Sequence, residues 1–159
     1  MVKYEFVKQE MKLLLFSGPS GSGKGSIIDR FLSENKFFKK VISATTRTKR
    51  DGEVEGQSYY FISKSQFEKK IKNNEFLEWC TVHGNMYGTL KSELERISNL
   101  GKTPVIEIDT QGAAKIKPHL SASTYIFIMT ETFFELKYRL AHRGTENKKE
   151  IELRLNNAK

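Results

Sequence analysis

Residues 16–32, FSGPSGSGKGSIIDRFL, decide how this sequence folds, because a loop of glycine and serine with one lysine stands between two apolar segments. The segment before the loop, 12–17, is apolar and has the length of a buried strand. The segment after it, 25–32, repeats apolar side chains four positions apart, which predicts a helix. The sequence therefore predicts a strand, a flexible loop and a helix in direct succession.

The loop matches most of the pattern G-x-x-x-x-G-K-[ST], with Gly18, Gly23 and Lys24 in register. Glycines let backbone N–H groups turn towards phosphate oxygens, the start of the helix carries partial positive charge, and the lysine adds a full charge. The pattern asks for serine or threonine after the lysine, but Gly25 stands there and Ser26 follows. A plain glycine–serine turn is the alternative, and the flanking strand and helix favour a phosphate-binding loop.

An acidic strand end further along the chain complements this loop. The apolar run 104–109, PVIEID, predicts a buried strand that ends in Asp109, with Glu107 on the same face two positions earlier. Phosphate loops work together with a carboxylate that holds the metal ion of the nucleotide. Acids at strand ends are common, so it is the combination with the loop that predicts a nucleotide site.

Apolar strands alternate with helical segments in the first and last thirds of the chain, which predicts an α/β fold around a parallel sheet. Further strands are expected at 41–44, 57–63, 75–82 and 123–129, and helices at 65–73, 90–99, 133–141 and from 150 onwards. Ser65 is the expected N-cap of the helix at 65–73. Residues 43–100 break the alternation and look like an insertion between core strands.

Composition limits the class of protein. The 159 residues, of which 38% are hydrophobic and 29% charged, predict one globular domain rather than a disordered chain. No apolar run is long enough to span a bilayer, and residues 1–10 do not resemble a signal peptide. Cys80 is the single cysteine, which predicts a reducing, cytoplasmic location. The net charge of +8 predicts either a nucleic-acid surface or a pocket for a polyanionic small molecule.

The middle segment carries side chains suited to an anionic ligand. Two arginines, two acids, two tyrosines and a threonine stand out there: Arg47, Arg50, Glu53, Tyr59, Glu78, Tyr87 and Thr89. Arginine forks bind phosphate oxygens in pairs. Taken one at a time, the acids, tyrosines and threonine are explained equally well as strand polar residues or core-edge aromatics, so only the whole set points to a binding site.

Together with the loop, these stretches resemble guanylate kinases in their order and spacing. The matching stretches are SGPSGSGKGS, SATTRTKRDGEVEGQSYYF, NNEFLEW, GNMYGT, EIDTQGA and RLAHRGTE…ELRL. The resemblance implies a three-layer α/β/α phosphate-loop core with a parallel sheet, an inserted mixed α+β region that binds GMP, and a helical lid. The implied boundaries are 11–42 and 101–159 for the core, about 138–157 for the lid, 43–100 for the GMP-binding region and 1–10 for an N-terminal extension.

The resemblance also implies roles for individual residues. The implied ATP-binding residues are Gly18, Ser20, Gly21, Ser22, Gly23, Lys24, Gly25, Ser26, Arg139 and Arg143. The implied GMP-binding residues are Ser43, Arg47, Arg50, Glu53, Tyr59, Glu78, Tyr87, Thr89, Glu107 and Asp109. The implied catalytic residues are Lys24, Arg47, Arg50, Arg143 and Arg154, and Mg²⁺ is expected at Asp109 and, through water, at Ser26.

The implied reaction is Mg²⁺-dependent transfer of the γ-phosphoryl group of ATP to GMP. The acceptor oxygen is already anionic at neutral pH, so no general base is required, and the histidines match no catalytic or metal-binding spacing. Glu78 can accept hydrogen bonds from N1–H and N2–H of guanine, whereas adenine presents an acceptor at N1, and Thr89 is expected to donate to O6. The expected partners are ATP and GMP, with no nucleic acid or membrane, in a monomer or homodimer.

Compared with that family, the chain is expected to lack the last core strand and the last helix. Such a chain is expected to show an unpaired sheet edge and exposed apolar surface, and its activity is an open question. A catalytically inactive guanylate-kinase-like domain that binds proteins is an alternative, although such domains typically lack an intact phosphate loop or some GMP ligands. A nucleic-acid-binding protein is a further alternative, for which the sequence offers charge but no recognition motif.

Overall fold

The structure is a computed structural model that describes residues 12–82, 84–120 and 122–142, together with residues 152 and 155. In chain order its elements are β1 (Leu14–Ser17), α1 (Lys24–Glu34), β2 (Phe38–Lys40), β3 (Ala44–Thr45), β4 (Tyr60–Phe61), α2 (Lys64–Lys72), β5 (Phe76–Val82), β6 (Asn85–Leu90), α3 (Lys91–Asn99), β7 (Thr103–Glu107), α4 (Thr110–Ile116), a 3₁₀ turn (Lys117–His119), β8 (Thr124–Phe127) and α5 (Phe133–His142). The predicted α/β class is confirmed.

A parallel four-stranded sheet forms the core, with the strand order β2-β7-β1-β8. β1 lies between β7 and β8, and Phe16 pairs with Glu107 on one side and with Ile126 on the other. The carboxyl ends of parallel strands meet at one edge of the sheet, where ligands commonly bind. The loop after β1 and Asp109 after β7 therefore lie at the same edge.

Helices cover both faces of this sheet. Alternate β1 residues point to opposite faces, so Leu14 and Phe16 pack with Ile28 of α1, while Leu13 and Leu15 pack with the helices of the other face. The second cluster includes Leu94 and Ile97 of α3 and Ile116 of α4. The result is the three-layer α/β/α arrangement that the resemblance implied.

A second, mixed sheet lies within the predicted insertion. Its strand order is β4-β3-β6-β5, with β3 and β4 parallel and the other pairs antiparallel. Its own apolar cluster includes Ala44, Phe67, Phe76 and Leu90, so Phe67 of α2 covers one face of the sheet. The second sheet therefore has an apolar cluster of its own, while Leu77, Leu94 and Ile97 of the insertion pack in the core of the parallel sheet.

Some predicted elements are displaced in the structure. The strand predicted at 41–44 is wrong: β2 ends before it and β3 starts at its last residue. Val41 still donates its N–H to the carbonyl of Val105 at 2.9 Å, and the next residues lead from the first sheet to the second. The N-cap of α2 is Ser63 rather than Ser65, because Ser63 Oγ accepts from Gln66 N and Gln66 Oε1 accepts from Ser63 N in a capping box.

The sequence analysis also missed α4 and β6. The α4 segment TQGAAKI contains glycine and threonine, which are weak helix formers. Its start is fixed by Asp109, whose side chain accepts from Gly112 N at 2.8 Å. β6 contains Gly88, and it forms because it pairs with both β3 and β5. A local cap therefore offsets the weak helix propensity of α4, and long-range strand pairing offsets the weak strand propensity of β6.

Among the described residues, β8 has a strand neighbour on one side only, as expected for an edge of the sheet. Apolar side chains beside it are exposed, among them Phe127, Met129 and Phe134. Leu155 packs on Leu136 and Leu140 of α5. Within the described residues, no helix combines the length and the apolar composition that crossing a bilayer requires.

Glu93 on α3 joins the insertion to the core, and its replacement by alanine is expected to destabilise the fold. Its carboxylate is 3% exposed and accepts hydrogen bonds from Ile42 N, Tyr60 OH and the guanidinium of Arg96. Glu93→Ala leaves these donors without their partner, so the free energy of unfolding should fall by about 2–4 kcal/mol. Urea denaturation followed by tryptophan fluorescence measures this change.

Glu95→Ala is the matched control, because Glu95 lies on the same helix and is exposed. Its effect is expected to stay within about 0.5 kcal/mol. Equal denaturation midpoints for the two variants would show that Glu93 does not join the two parts.

Candidate active site

A cleft of about 1090 Å³ opens where the parallel sheet meets the insertion. It is lined by the loop after β1, the first turn of α1, the ends of β2 and β7, and residues of both sheets. Most of the sequence-predicted residues line it: Gly18, Ser20, Gly21, Gly23, Lys24, Gly25, Ser26, Ser43, Arg47, Arg50, Glu53, Tyr59, Glu78, Tyr87, Glu107, Asp109 and Arg139. Residues far apart in sequence are thereby gathered around one space.

Two predicted residues, Ser22 and Thr89, are buried and do not line the cleft. The hydroxyl of Ser22 has no hydrogen-bond partner among the described atoms. Arg143 and Arg154 lie outside the described residues, as do the N-terminal extension and most of the predicted lid beyond α5. The individual site roles stay predictions.

The loop after β1 has the backbone shape of an anion-binding loop. Gly21 and Gly23 adopt φ values of 87° and 93°, which favour glycine. Gly23 is also the N-cap of α1, and the first turn of the helix lines the cleft, so its N–H groups, which no side chain caps, are available to an anion there. Lys24 Nζ donates to the carbonyls of Gly18 and Pro19 at 2.8 and 2.9 Å. The loop therefore encloses a concave space lined by donors.

Arg139 of α5 lies against the same loop. Its NH1 is 3.5 Å from the carbonyl of Ser22, and its Nε donates to Glu135 at 2.7 Å.

An added Cβ at Gly25 would meet nothing within 4 Å, so the absence of a serine there is not imposed by packing. The hydroxyl nearest to the lysine in sequence is that of Ser26, which lines the cleft.

Glu53 holds the arginine loop in shape. Its two carboxylate oxygens accept from NH1 and NH2 of Arg47 at 3.0 and 2.6 Å, and one also accepts from Arg50 N at 2.8 Å. The hydrogen bonds from Arg47 lower the pKa of Glu53, against a raising effect of burial, and the backbone of Arg50 lowers it further. In this geometry the contacts of Glu53 are to the arginines, so its predicted contact with GMP would be indirect.

Two tyrosines stand beside Arg47. The ring centroids of Tyr59 and Tyr87 are 6.1 Å apart, and the Arg47 guanidinium lies 5.5 Å from the Tyr59 ring. Burial, followed by the charge of Glu107, raises the pKa of Tyr59 to about 12. Its hydroxyl is therefore protonated at neutral pH and can donate a hydrogen bond to an anion.

Glu78 is the buried carboxylate of the cleft. It is 7% exposed, and its Oε1 accepts from the hydroxyl of Thr89, its cross-strand neighbour in the second sheet, at 2.7 Å. Burial raises the pKa of Glu78 to about 7, against the lowering effect of that hydrogen bond and with a further rise from the charge of Asp109. The Thr89 hydroxyl points to Glu78, so the predicted donation to guanine O6 requires it to rotate.

Asp109 shares its hydrogen bonds between α4 and β5. Its Oδ1 accepts from Gly112 N at 2.8 Å and from the thiol of Cys80 at 3.4 Å. An added Cβ at Gly112 would lie 2.9 Å from Glu78 Oε2, so glycine permits α4 to approach the buried acid. Cys80 is buried and also orients Asp109 through this hydrogen bond. Cys80 stands two residues after Glu78, which places both side chains on the same face of the strand. This spacing was the sequence signal that could have placed Cys80 at the site.

Lys40 is a cleft residue that the sequence analysis did not select. It ends β2, and its Nζ lies 2.8 Å from Glu107 Oε2 on the neighbouring strand β7. The sequence shows Lys40 only as one lysine in a basic run. The pairing of two strands that are far apart in the chain brings the two charges together.

The oxygen donors at the cleft fit Mg²⁺. In the described part of the chain, no three His, Cys, Asp or Glu side chains are grouped as a metal site. Mg²⁺ typically binds through nucleotide phosphates, water and one or two carboxylates rather than through a cage of protein ligands. The carboxylate of Asp109 and the hydroxyl of Ser26 both line the cleft and are oxygen donors of this kind.

Comparison with known proteins gives a consistent result. A family model described as "Guanylate kinase" matches residues 10–159. The chain is 45% identical over 146 residues to a guanylate kinase of Clostridium tetani, covering 92% of this chain and 70% of that protein. It is 42% identical over 148 residues to that of Thermotoga maritima, covering 93% and 72%. A crystal structure of guanylate kinase from Anaplasma phagocytophilum superposes with a TM-score of 0.69 at 28% identity, covering 92% of this chain and 82% of the other.

Proposed function

This chain belongs to the guanylate kinase family, and from that premise we propose that it transfers the γ-phosphoryl group of ATP to GMP, giving ADP and GDP. The observation that carries the proposal is the single cleft that joins the loop around Lys24 to the buried Glu78 and the arginine–tyrosine cluster. A donor phosphate and an acceptor nucleotide can therefore meet inside one cleft.

The guanine base of GMP is assigned to Glu78. An ionised carboxylate accepts from both N1–H and N2–H, and Thr89 orients it from the neighbouring strand. Adenine places an acceptor at N1, which would leave the buried carboxylate without donors and at a high energetic cost. Glu78 therefore supplies the preference for GMP over AMP.

The phosphate of GMP is assigned to Arg47, Arg50, Tyr59 and Tyr87. Glu53 holds the Arg47 guanidinium and the Arg50 backbone in place before any ligand binds. Preorganised donors cost less conformational entropy when the phosphate arrives. The cluster is therefore already arranged to hold the attacking oxygen of GMP in position when the ligand binds.

The triphosphate of ATP is assigned to the loop after β1. The N–H groups at the start of α1 and the ammonium group of Lys24 would bind the β- and γ-phosphates, and Arg139 lies next to the loop. Mg²⁺, when bound with ATP, offsets phosphate charge, and Asp109 and Ser26 would hold it, in part through water. Arg143 and Arg154 are proposed to add positive charge from the lid.

Phosphoryl transfer then depends on position and charge. An anionic oxygen of GMP forms a bond to the γ-phosphorus of ATP while the bond to the β–γ bridging oxygen breaks, so no proton must be removed. Lys24 and the arginines stabilise the charge that spreads over the transferring group. Closure of the predicted lid would exclude water from the cleft and so suppress transfer to water. The oligomeric state and cytoplasmic location stay predictions.

The direct test is ADP formation from ATP and Mg²⁺ by this 159-residue chain, with GMP, AMP, UMP or no acceptor. Turnover with GMP alone is the expected result. A folded chain that neither binds nor phosphorylates GMP would contradict the proposal. Binding of GMP without turnover would instead support an inactive member of the family, although the intact loop and cleft favour the enzyme.

The affinity for guanosine is expected to decrease as the pH falls below about 7. The raised pKa of Glu78 means that the free site is increasingly protonated below that value, and the protonated carboxyl cannot accept from both guanine donors. The raised pKa of Glu78 also affects the free energy of unfolding of the free chain. The folded chain holds this proton more tightly than the unfolded chain, so the stabilisation is complete below the ordinary carboxyl pKa and is lost as the pH rises through about 7.

Isothermal titration calorimetry with guanosine between about pH 6 and pH 8 measures this dependence. Guanosine replaces GMP because a phosphate monoester itself titrates near pH 6. The variant Glu78→Gln, whose amide does not titrate, is expected to show a flat profile. A flat profile for the unmodified chain would show that Glu78 is already ionised in the free site.

A further inference from the structure

Lys40 is a charged cleft residue to which the proposed reaction assigns no role. Its Nζ pairs with Glu107 Oε2 at 2.8 Å, and both side chains line the cleft. They are 37% and 30% exposed, and ion pairs so open to water contribute little to folding. Stability therefore does not explain why this pair faces the ligand space.

The surroundings of Glu107 show why the pair matters. Glu107 and Tyr59 line the same cleft, and the charge of Glu107 is, after burial, among the causes that raise the pKa of Tyr59. Tyr59 in turn stacks edge-on with Tyr87 and lies under the Arg47 guanidinium. Glu107 therefore faces the cluster to which the phosphate of GMP is assigned.

An unpaired carboxylate at this point would oppose the ligand. A phosphate monoester carries between one and two negative charges near neutral pH. Two anions in a partly buried cleft repel each other more strongly than in open water. A cation that remains paired with the carboxylate removes most of this repulsion. The ammonium group of Lys40, on β2, is such a cation.

We propose that Lys40 is a positioning residue of the acceptor site: its ammonium group offsets the charge of Glu107 and holds that carboxylate towards β2, so that the phosphate of GMP can lie beside it. The inference rests on the proposed function, because it concerns the binding of GMP. Lys40 acts through Glu107 and does not itself bind the phosphate.

The test compares GMP with guanosine in the variant Lys40→Met. The dissociation constant and KM for GMP are expected to rise on the order of tenfold, from the repulsion of one uncompensated charge at this range. The affinity for guanosine, which has no phosphate, and the KM for ATP are expected to stay within about twofold. Lys40→Arg keeps the charge and should retain most of the GMP affinity.

Lys39→Met is the matched control. It removes the same charge from the same strand, but adjacent strand residues point to opposite faces, and Lys39 does not line the cleft. Its GMP affinity is expected to equal that of the unmodified chain. Circular dichroism and thermal unfolding check that each variant folds, and Lys40→Gln replaces Lys40→Met if the methionine variant does not.

The decisive comparison repeats Lys40→Met in a Glu107→Gln background. With the carboxylate neutral, the loss of the lysine should change GMP affinity by less than about twofold. If Lys40→Met lowered GMP affinity as much in the Glu107→Gln background as in the unmodified chain, the inference would be overturned, since Lys40 would then contact the phosphate directly. An equal loss for guanosine, or no loss for GMP, would also overturn it.

These outcomes separate the inference from the proposed function. If the unmodified chain fails to bind GMP, the proposed function is wrong and the inference falls with it. If the unmodified chain binds GMP and Lys40→Met binds it equally well, only the inference is wrong.

Discussion

Replacing Lys24 by methionine is expected to lower the kcat for GMP phosphorylation by about 100- to 1,000-fold, the range measured when one preorganised hydrogen-bond donor is removed from an active site. Lys24 is the first residue of α1, and its ammonium group lies inside the loop, within hydrogen-bond distance of Gly18 O and Pro19 O. In the proposed complex it turns to the transferring phosphate. Methionine keeps the length and the helix propensity of lysine but supplies no charge.

A large change in kcat with little change in the KM for GMP would identify Lys24 as a residue of the transfer step rather than of acceptor binding. Because the acceptor site is formed by other residues, the KM for GMP should change by less than about threefold. Lys36→Met is the control, since Lys36 is exposed after α1 and does not line the cleft. A Lys24→Met enzyme with turnover within tenfold of the unmodified chain would remove Lys24 from the catalytic assignment.

Replacing Glu78 by glutamine is expected to lower kcat/KM for GMP by about 100-fold, since a buried site built for two donors loses its match to guanine. Glutamine has nearly the same shape, but one end of its amide is a donor and opposes N1–H or N2–H. Glu78 is 7% exposed and already accepts from Thr89, so the new amide cannot turn freely into water.

Inosine monophosphate provides the matched ligand for this test, because its base has N1–H but lacks the amino group at position 2. In the unmodified chain GMP should be strongly preferred over this analogue, and in Glu78→Gln the preference should shrink to about tenfold or less. Glu75→Gln, directly before β5, partly exposed in a pair with Lys70 and outside the cleft lining, should leave the preference unchanged. A preference that survives in Glu78→Gln would place guanine recognition elsewhere.

The sequence by itself determined the features that depend on neighbouring residues. The loop of Gly18, Gly23 and Lys24 was predicted because a phosphate-binding turn needs glycine backbone freedom and a lysine at fixed spacing from them. The α1, α3 and α5 helices and the β1, β7 and β8 strands were predicted because their apolar periodicity is local. The resemblance to guanylate kinases then indicated binding-site residues that could not have been recognised from each position alone.

The tertiary structure decided every feature that joins distant parts of the chain. The helix α4 forms although its sequence is a weak helix former, because Asp109 caps it and Gly112 lets it approach Glu78. Lys40 lies 67 residues before Glu107, and the thiol of Cys80 meets Asp109 across 29 residues. Sequence spacing carries no signal for such pairs, because strand order and register set which side chains meet, and these are fixed only when both sheets and their cores pack together.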